Sequence, residues 1–282
     1  MTTNEAKHLM RQQLAQKFGD KETAALTNII FEELMHYSQV DVLLRADHEI
    51  PDIAADQLPG VIERLLRDEP VQHIFGRTTF HGLTIKVTPD TLIPRPETAE
   101  LVDLIVDNHA HTTDLRVLDI GTGSGCIAVA LARSLKFANV AALDISPAAL
   151  AVAKENAAAL KTKITFYQED ILACTNLPVS DLDIIVSNPP YICDEEKAQM
   201  EPNVLNYEPH QALFVPNDDP LRFYNAIAAL AANSLRDGGM LYFEINPRFH
   251  TQLTALLRSL RFTNITTHRD FFSRIRFISA QK

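Results

Sequence analysis

Along the first seventy-odd residues, apolar positions recur every three or four places, in "AKHLMRQQLAQKF", "TAALTNIIFEELMHYS" and "AADQLPGVIERLLRDEP". Leu26, Ile29, Ile30 and Leu34 thereby share one helix face, and the segment predicts a small helical bundle. From Val71 to Pro94 the period changes. β-Branched and aromatic residues in "TTFHGLTIKVTP" flank His81-Gly82, which suits the two-residue turn of a β-hairpin. Helical spacing returns in "LIPRPETAELVDLIVDNH", with Pro96 in the first turn and Glu97 and Glu100 near the positive end. Beyond it, "RVLDI", "CIAVALARSL", "NVAALDI", "SPAALAVAKENAAAL", "ITFYQED", "LDIIVSN", "DPLRFYNAIAALAANSLRDGG", "MLYFEI" and "RFHTQLTALLRSL" alternate strand with helix. Such alternation predicts a parallel sheet covered by helices on both faces. No helix separates "FTNITTHRD" from "RIRFISAQ", so these should close the sheet as an antiparallel pair.

Composition narrows the classes. The 282 residues are 46% apolar, enough for one large domain with a smaller one attached. Net charge is −10, with seven Lys/Arg against thirteen Asp/Glu over residues 1–75 and the rest of the chain also acidic. Neither part has the basic balance of a nucleic-acid glove, and no direct nucleic-acid binding is expected. The start "MTTNEAKHLMRQQLAQKF" lacks a signal peptide's basic and apolar blocks, and no apolar run reaches membrane-spanning length, which predicts a cytoplasmic protein without membrane contact. Cys126, Cys174 and Cys193 are scattered and odd in number, as reduced thiols would be. His109 and His111 are expected at a solvated helix end, and no metal site is implied.

The candidate chemistry lies at strand ends, where open α/β sheets bind ligands. The first is "VLDIGTGSGCIAVA". Gly121, Gly123 and Gly125, interleaved with Thr122 and Ser124, let the backbone turn tightly before a helix whose first N–H groups are unpaired. Asp119 stands two residues before the loop, where a pyrophosphate would meet it unfavourably, so a cationic ligand is favoured. The second strand ends in Asp144, placed to accept both hydrogens of a ribose diol. After the third, Asp170 can meet an adenine amino group with Ile171 against the base. An ammonium, a ribose and an adenine together describe S-adenosylmethionine.

The fourth strand stops at "SNPPYI", because proline fixes φ and offers no N–H for the ladder. Asn188 should then face the methyl end of the cofactor. A planar NH₂ group is a poor nucleophile, and two acceptors holding its hydrogens orient its lone pair and stabilise the positive charge that develops on nitrogen. The Asn188 side-chain oxygen and the Pro189 carbonyl can be those acceptors. Pro190 stiffens the turn, and Tyr191 can cover the planar group.

"LDIGTGSG", "LDIS" and "SNPPYI", preceded by "TLIPRPETAELV" and followed by "YEPHQALF", resemble the HemK-type release factor glutamine methyltransferases. The resemblance runs from "PVQHIFG" to the C-terminus, with "IPRPET" its most discriminating mark. It implies a Rossmann-like S-adenosylmethionine-dependent methyltransferase fold, with a mostly parallel seven-stranded sheet and an antiparallel C-terminal strand. It also implies a substrate: the glutamine amide of a Gly-Gly-Gln tripeptide in peptide chain release factors, held by Asn188 and Pro189. The family often has glycine where this chain has Asn246-Pro247, and "RDFFSRIRF" lacks the usual turn glycine. Residues 1–75 are then expected as a helical substrate-docking domain, 76–94 as a hairpin linker and 95–282 as the methyltransferase domain. The alternatives are an adenine or cytosine amino methyltransferase, which would need a basic track for the backbone, and a non-catalytic scaffold, against which intact Asn188 and Tyr191 weigh.

Overall fold

Thr2 opens the first helix, α1 (Thr3–Met35), with a capping box: its hydroxyl accepts from Glu5 N at 3.2 Å while Glu5 Oε2 accepts from Thr2 N at 2.7 Å. Gly19, at φ 73°, breaks α1 where the sequence predicts two helices. There follow α2 (Gln39–Leu44), α3 (Asp52–Leu66) and α4 (Val71–Phe75). Met10, Leu14, Leu26, Ile30, Phe31, Leu58 and Ile62 form their common core. Of the predicted α1 face, Leu26 and Ile30 are buried, Leu34 is half-buried, and Ile29 is 37% exposed. Residues Met1–Gly76 form one unit of the chain, and a later segment, Pro202–Tyr207, returns to it. There the Tyr207 hydroxyl donates to the Arg67 carbonyl at 2.7 Å.

The computed structural model describes residues 1–282, and the second unit comprises Arg77–Glu201 and Glu208–Lys282. It begins with the hairpin β1 (Arg77–Phe80) and β2 (Leu83–Lys86), joined through His81 and Gly82 at φ 48° and 71°. Positive φ at both turn positions matches the right-handed twist of the flanking strands. Two details differ from the sequence expectation. Val71–Phe75 is helical, ended by Gly76 at φ 68°, and the hairpin packs Phe80 and Ile85 into the second unit's core.

The remaining elements are α5 (Pro96–Asn108), β3 (Arg116–Ile120), α6 (Cys126–Ser134), β4 (Asn139–Asp144), α7 (Pro147–Ala159), β5 (Ile164–Gln168), β6 (Leu182–Ser187), β7 (Ile192–Cys193), α8 (Pro202–Tyr207), β8 (Phe214–Val215), α9 (Arg222–Ser234), β9 (Leu235–Glu244), α10 (His250–Ser259), β10 (Thr263–Arg269) and β11 (Ile275–Gln281). Seven strands form one sheet in the order β10-β11-β9-β6-β3-β4-β5. Pairing is parallel from β9 to β5, while β11 lies antiparallel to both β9 and β10. The seven-stranded, mostly parallel sheet is the one the sequence predicts, with β6 beside β3 and opposite β4. The pair β7–β8 was not expected. One sheet face packs Ile120, Ile185 and Phe243 against α9 and α10, and the other packs Val117, Ile184 and Val186 against α5 and α6. No helix is long and apolar enough to cross a membrane. His109, expected in solvent at the end of α5, is instead half-buried, with Nε2 3.1 Å from the Tyr242 hydroxyl.

One buried amide ties the hairpin to the glycine loop. Asn156 on α7 accepts from Lys86 N at 2.7 Å and donates to the carbonyls of Lys86 and Ser124 at 3.0 and 2.8 Å. Removing it leaves backbone groups unpaired in a buried place. We expect Asn156→Ala to lower unfolding free energy by about 2–3 kcal/mol, as lost buried hydrogen bonds do. Urea titration of both proteins measures it, and a change near zero would mean that water replaces the amide.

Candidate active site

The carboxyl ends of β3, β4, β5 and β6 open onto a cavity of about 220 Å³ within the second unit. Gly121, Gly123, Asp144, Asp170, Ile171, Asn188, Pro189 and Pro190 line it, so eight residues picked from four separate sequence segments meet in one place. Sequence reasoning missed several others: Asp90 and Leu92 before α5, Glu169 after β5, Gln211 before β8, and Phe223 on α9. Leu92 and Gln211 fall inside "TLIPRPETAELV" and "YEPHQALF", whose resemblance assigns them no role, and Asp90, Glu169 and Phe223 have no motif of their own.

The glycine loop is held from behind. Gly121 N and Thr122 N both donate to the Leu143 carbonyl, at 2.8 and 3.0 Å, and Gly123 N donates to Asp144 Oδ2 at 2.8 Å. These amides are already occupied, unlike those of a phosphate-binding loop, which point at the anion. Asp144 Oδ1 accepts from Ser146 N at 2.9 Å, so this carboxylate fixes the loop as well as facing the cavity. Its burial raises its pKa, and the backbone donors partly offset that. Asp170 lines the cavity and accepts from Leu172 N at 2.9 Å through Oδ1.

Five of the predicted residues do not line the cavity: Asp119, Thr122, Ser124, Gly125 and Tyr191. Thr122 is buried, and its hydroxyl donates to Asp119 Oδ2 at 2.6 Å. Ser124 is buried, with its carbonyl on Asn156. Gly125, at φ 79°, begins α6 so close to α7 that a Cβ would sit 3.0 Å from that of Ala153. Asp119 is wholly enclosed; Oδ2 also accepts from Ala128 N at 3.2 Å, and Oδ1 has no partner within the protein. Tyr191, expected to cover the planar group, donates its hydroxyl to Glu244 Oε1 at 3.0 Å. Burial and the Glu244 charge hold its pKa well above the usual phenol value.

Asn188 ends a short chain of hydrogen bonds. Its Nδ2 donates to Thr98 Oγ1 at 3.2 Å, and the Thr98 hydroxyl donates to Glu244 Oε2 at 2.7 Å. The carbonyl of Tyr191 accepts from Asn246 Nδ2 at 3.2 Å, so Asn246 braces the loop. A second anchor is Glu208. Buried and carrying the glutamate of "YEPH", it accepts from Ile93 N at 3.0 Å and pairs with Arg95 of "IPRPET" at 2.5 Å.

A parallel sheet with acids at successive strand ends and a proline-terminated strand carrying an amide defines an α/β methyltransferase domain. The methyltransferase small domain family matches residues 99–206, and the PrmC N-terminal domain family matches residues 5–76. The release factor glutamine methyltransferase of Bacteroides thetaiotaomicron is 41% identical, over 97% of this chain and 98% of that protein. The one of Flavobacterium psychrophilum is 43% identical, over 95% and 94%. Among solved structures, the catalytic domain of hMettl16 in complex with the MAT2A 3'UTR hairpin 6 aligns at TM-score 0.56 and 20% identity, over 71% of this chain and 75% of that one. That likeness is of fold alone. The chain belongs to the release factor glutamine methyltransferases.

Burial raises the Asp119 carboxyl from 3.8 to about 7 against the pull of its Thr122 and Ala128 donors. The folded protein therefore keeps a proton that the unfolded chain releases at lower pH. Without ligand, this group's contribution to stability falls as pH rises from about 4 to about 7, then levels off. Asp119→Asn should abolish that part of the slope. Urea unfolding of both proteins at several pH values measures it, and parallel pH profiles would mean that Asp119 titrates normally.

Proposed function

We propose that this protein transfers a methyl group from S-adenosylmethionine to the side-chain amide nitrogen of the glutamine in the Gly-Gly-Gln tripeptide of peptide chain release factors, in the cytoplasm. One observation carries the reading: Asn188 ends β6 at the cavity with its NH₂ committed to Thr98, which leaves Oδ1 to accept from a substrate N–H. Kinship with named release factor glutamine methyltransferases supports the substrate.

The residues present fit the cofactor. Asp144 would hold the ribose diol, and Asp170 with Ile171 the adenine, while the occupied amides of the glycine loop suit a ligand without phosphate. Asp119 stands behind the loop with Oδ1 unpartnered, and a bound cation would favour its ionised form against the protonated form that burial favours. Bound there, S-adenosylmethionine would supply an electrophilic methyl group and keep the S–C electron pair on its sulfur, and the amide nitrogen presented by Asn188 and Pro189 would take the methyl and give up one proton to water. Asn188 Oδ1 and the Pro189 carbonyl hold the two amide hydrogens, turning the lone pair out of conjugation with the glutamine carbonyl. They also stabilise the positive charge that grows on nitrogen. Pro189 and Pro190 keep the two acceptors in fixed relation, since each proline locks its own φ.

Asn188→Ala should lower turnover by roughly a hundredfold while cofactor affinity stays nearly unchanged, because the lost contact matters in the transition state. The assay is transfer of label from S-adenosylmethionine to an intact release factor, beside one with Ala in place of the Gly-Gly-Gln glutamine. Label in both release factors would overturn the acceptor assignment, and full activity of the alanine variant would remove Asn188 from the chemistry.

A tripeptide buries too little surface to select one protein, and stable interfaces generally bury over ~1,000 Å². We assign the second contact to the helical unit, residues 1–75, where Val40, Leu43, Leu44 and Ile53 are each more than 60% exposed. Replacing Leu43 and Leu44 together by Asp should raise KM for the intact release factor about tenfold, as loss of interface anchors does, and leave a Gly-Gly-Gln peptide unaffected. Equal losses on both substrates would argue against docking there.

A further inference from the structure

The Asn188 side chain is useful to an N–H substrate in only one of its two orientations. With Oδ1 toward the cavity it accepts; turned over, it would point two donors at a donor. Nothing in the sequence of the Asn-Pro-Pro-Tyr turn itself selects between them. The neighbouring hydrogen-bond chain does. Glu244, at the end of β9, is 1% exposed, and its carboxylate receives two hydroxyl donors: Thr98 on Oε2 at 2.7 Å and Tyr191 on Oε1 at 3.0 Å. A hydroxyl has one hydrogen, and Thr98 gives its hydrogen to Glu244. Its oxygen can then only accept from Asn188, 3.2 Å away, and only the NH₂ side of the amide can supply that bond.

We infer that Thr98 and Glu244 are positioning residues which fix the Asn188 amide with its oxygen toward the methyl acceptor. The inference rests on the amide-methylating function proposed above. Thr98 lies on α5 two residues after Pro96, and Glu244 lies 146 residues further on. Neither lines the cavity, so both act through Asn188 and Tyr191. Burial raises the Glu244 pKa, while the Thr98 and Tyr191 hydroxyls and the Arg276 charge pull it down. Burial is the larger effect, and the three contacts limit the rise; the direction of the chain rests on the two hydroxyls that both reach the Glu244 carboxylate oxygens.

Three substitutions at one position test this on the full-length protein, with an intact release factor and saturating S-adenosylmethionine. Thr98→Val keeps the shape and removes the hydroxyl; Thr98→Ala removes it with less bulk, in case valine perturbs folding; Thr98→Ser keeps it. The two variants without the hydroxyl should lose about tenfold or more in kcat, with KM and cofactor Kd within about twofold, because an interaction made only in the transition state is lost. Serine should hold kcat within about threefold of wild type, since it restores the same donor and acceptor. Unchanged kcat in the valine or alanine variant overturns the inference. So does a loss confined to KM or Kd, or an equal loss in the serine variant. A wild-type protein that leaves the release factor unlabelled would instead overturn the proposed function and this inference with it. An active wild type with indifferent Thr98 variants overturns the positioning alone.

Discussion

A carboxylate taken out of water must be met by donors or it will not stay charged, and Glu244 is taken out almost completely. Meeting that demand brings four parts of the chain together. Thr98 comes from α5, Tyr191 from the turn after β6, and the positive charge of Arg276 from β11. Tyr224 of α9 donates to the Glu244 carbonyl at 3.0 Å and so fixes the backbone that carries the carboxylate. The turn after β6 cannot be held by sheet pairing, since its prolines have no N–H to give. Side chains gathered around one buried acid hold it instead. Loss of Glu244 would thus release the turn that carries Asn188, although the two residues do not touch.

Glu208 solves a similar problem on the neighbouring side. The segment before α5 has no regular structure from Pro89 to Arg95, yet it lines the cavity through Asp90 and Leu92. Glu208 binds both its backbone, at Ile93, and its cation, Arg95. The pair is half-enclosed, with the Glu208 side chain 1% exposed and the Arg95 side chain 34% exposed. Removing either partner alone leaves the other without its counter-charge, and the cost is greatest when the enclosed carboxylate is the one stranded. "IPRPET" and "YEPHQALF" are therefore two halves of one structural element, separated by more than a hundred residues of sequence. Their joint presence in the chain has a physical cause in this contact.

Features decided within a few residues were legible in the sequence. The strand-helix alternation, the hairpin at His81-Gly82, the start of α5 at Pro96 and the end of β6 at its prolines all follow from local backbone rules. So do the cavity positions of Gly121, Asp144, Asp170 and Asn188, because strand ends in such a sheet share one edge. Orientation was not legible. Tyr191 sits where the pattern puts it, but its hydroxyl turns to Glu244, a partner far away in sequence, and Asp119 turns to the Thr122 hydroxyl and to Ala128 N of α6. Thr98, Glu208 and Glu244 escaped for the same reason: each is ordinary in its own segment, and its meaning is a contact across more than fifty residues. Gly125, picked for the tight turn of the loop, has positive φ, and the space beside it is closed by Ala153 of α7, a contact the local pattern does not announce.

The ligand class proposed above rests on the same accounting of donors. A glycine-rich turn between a strand and a helix serves phosphates when its N–H groups face outward unpaired. Here the first three N–H groups of the loop are taken by the Leu143 carbonyl and by Asp144, and the surrounding lining adds Asp90, Glu169 and Asp170. Acids outnumber bases so strongly that the lining contains no Lys or Arg at all. A pyrophosphate would bring negative charge beside these carboxylates, and the three loop amides bonded to Leu143 and Asp144 are not free to receive it. A cationic nucleoside reverses both terms: its charge meets the acids, and its hydroxyls and amine give them hydrogens to accept. The glycines make the turn possible, but the partners of their amides decide what can be held beside it.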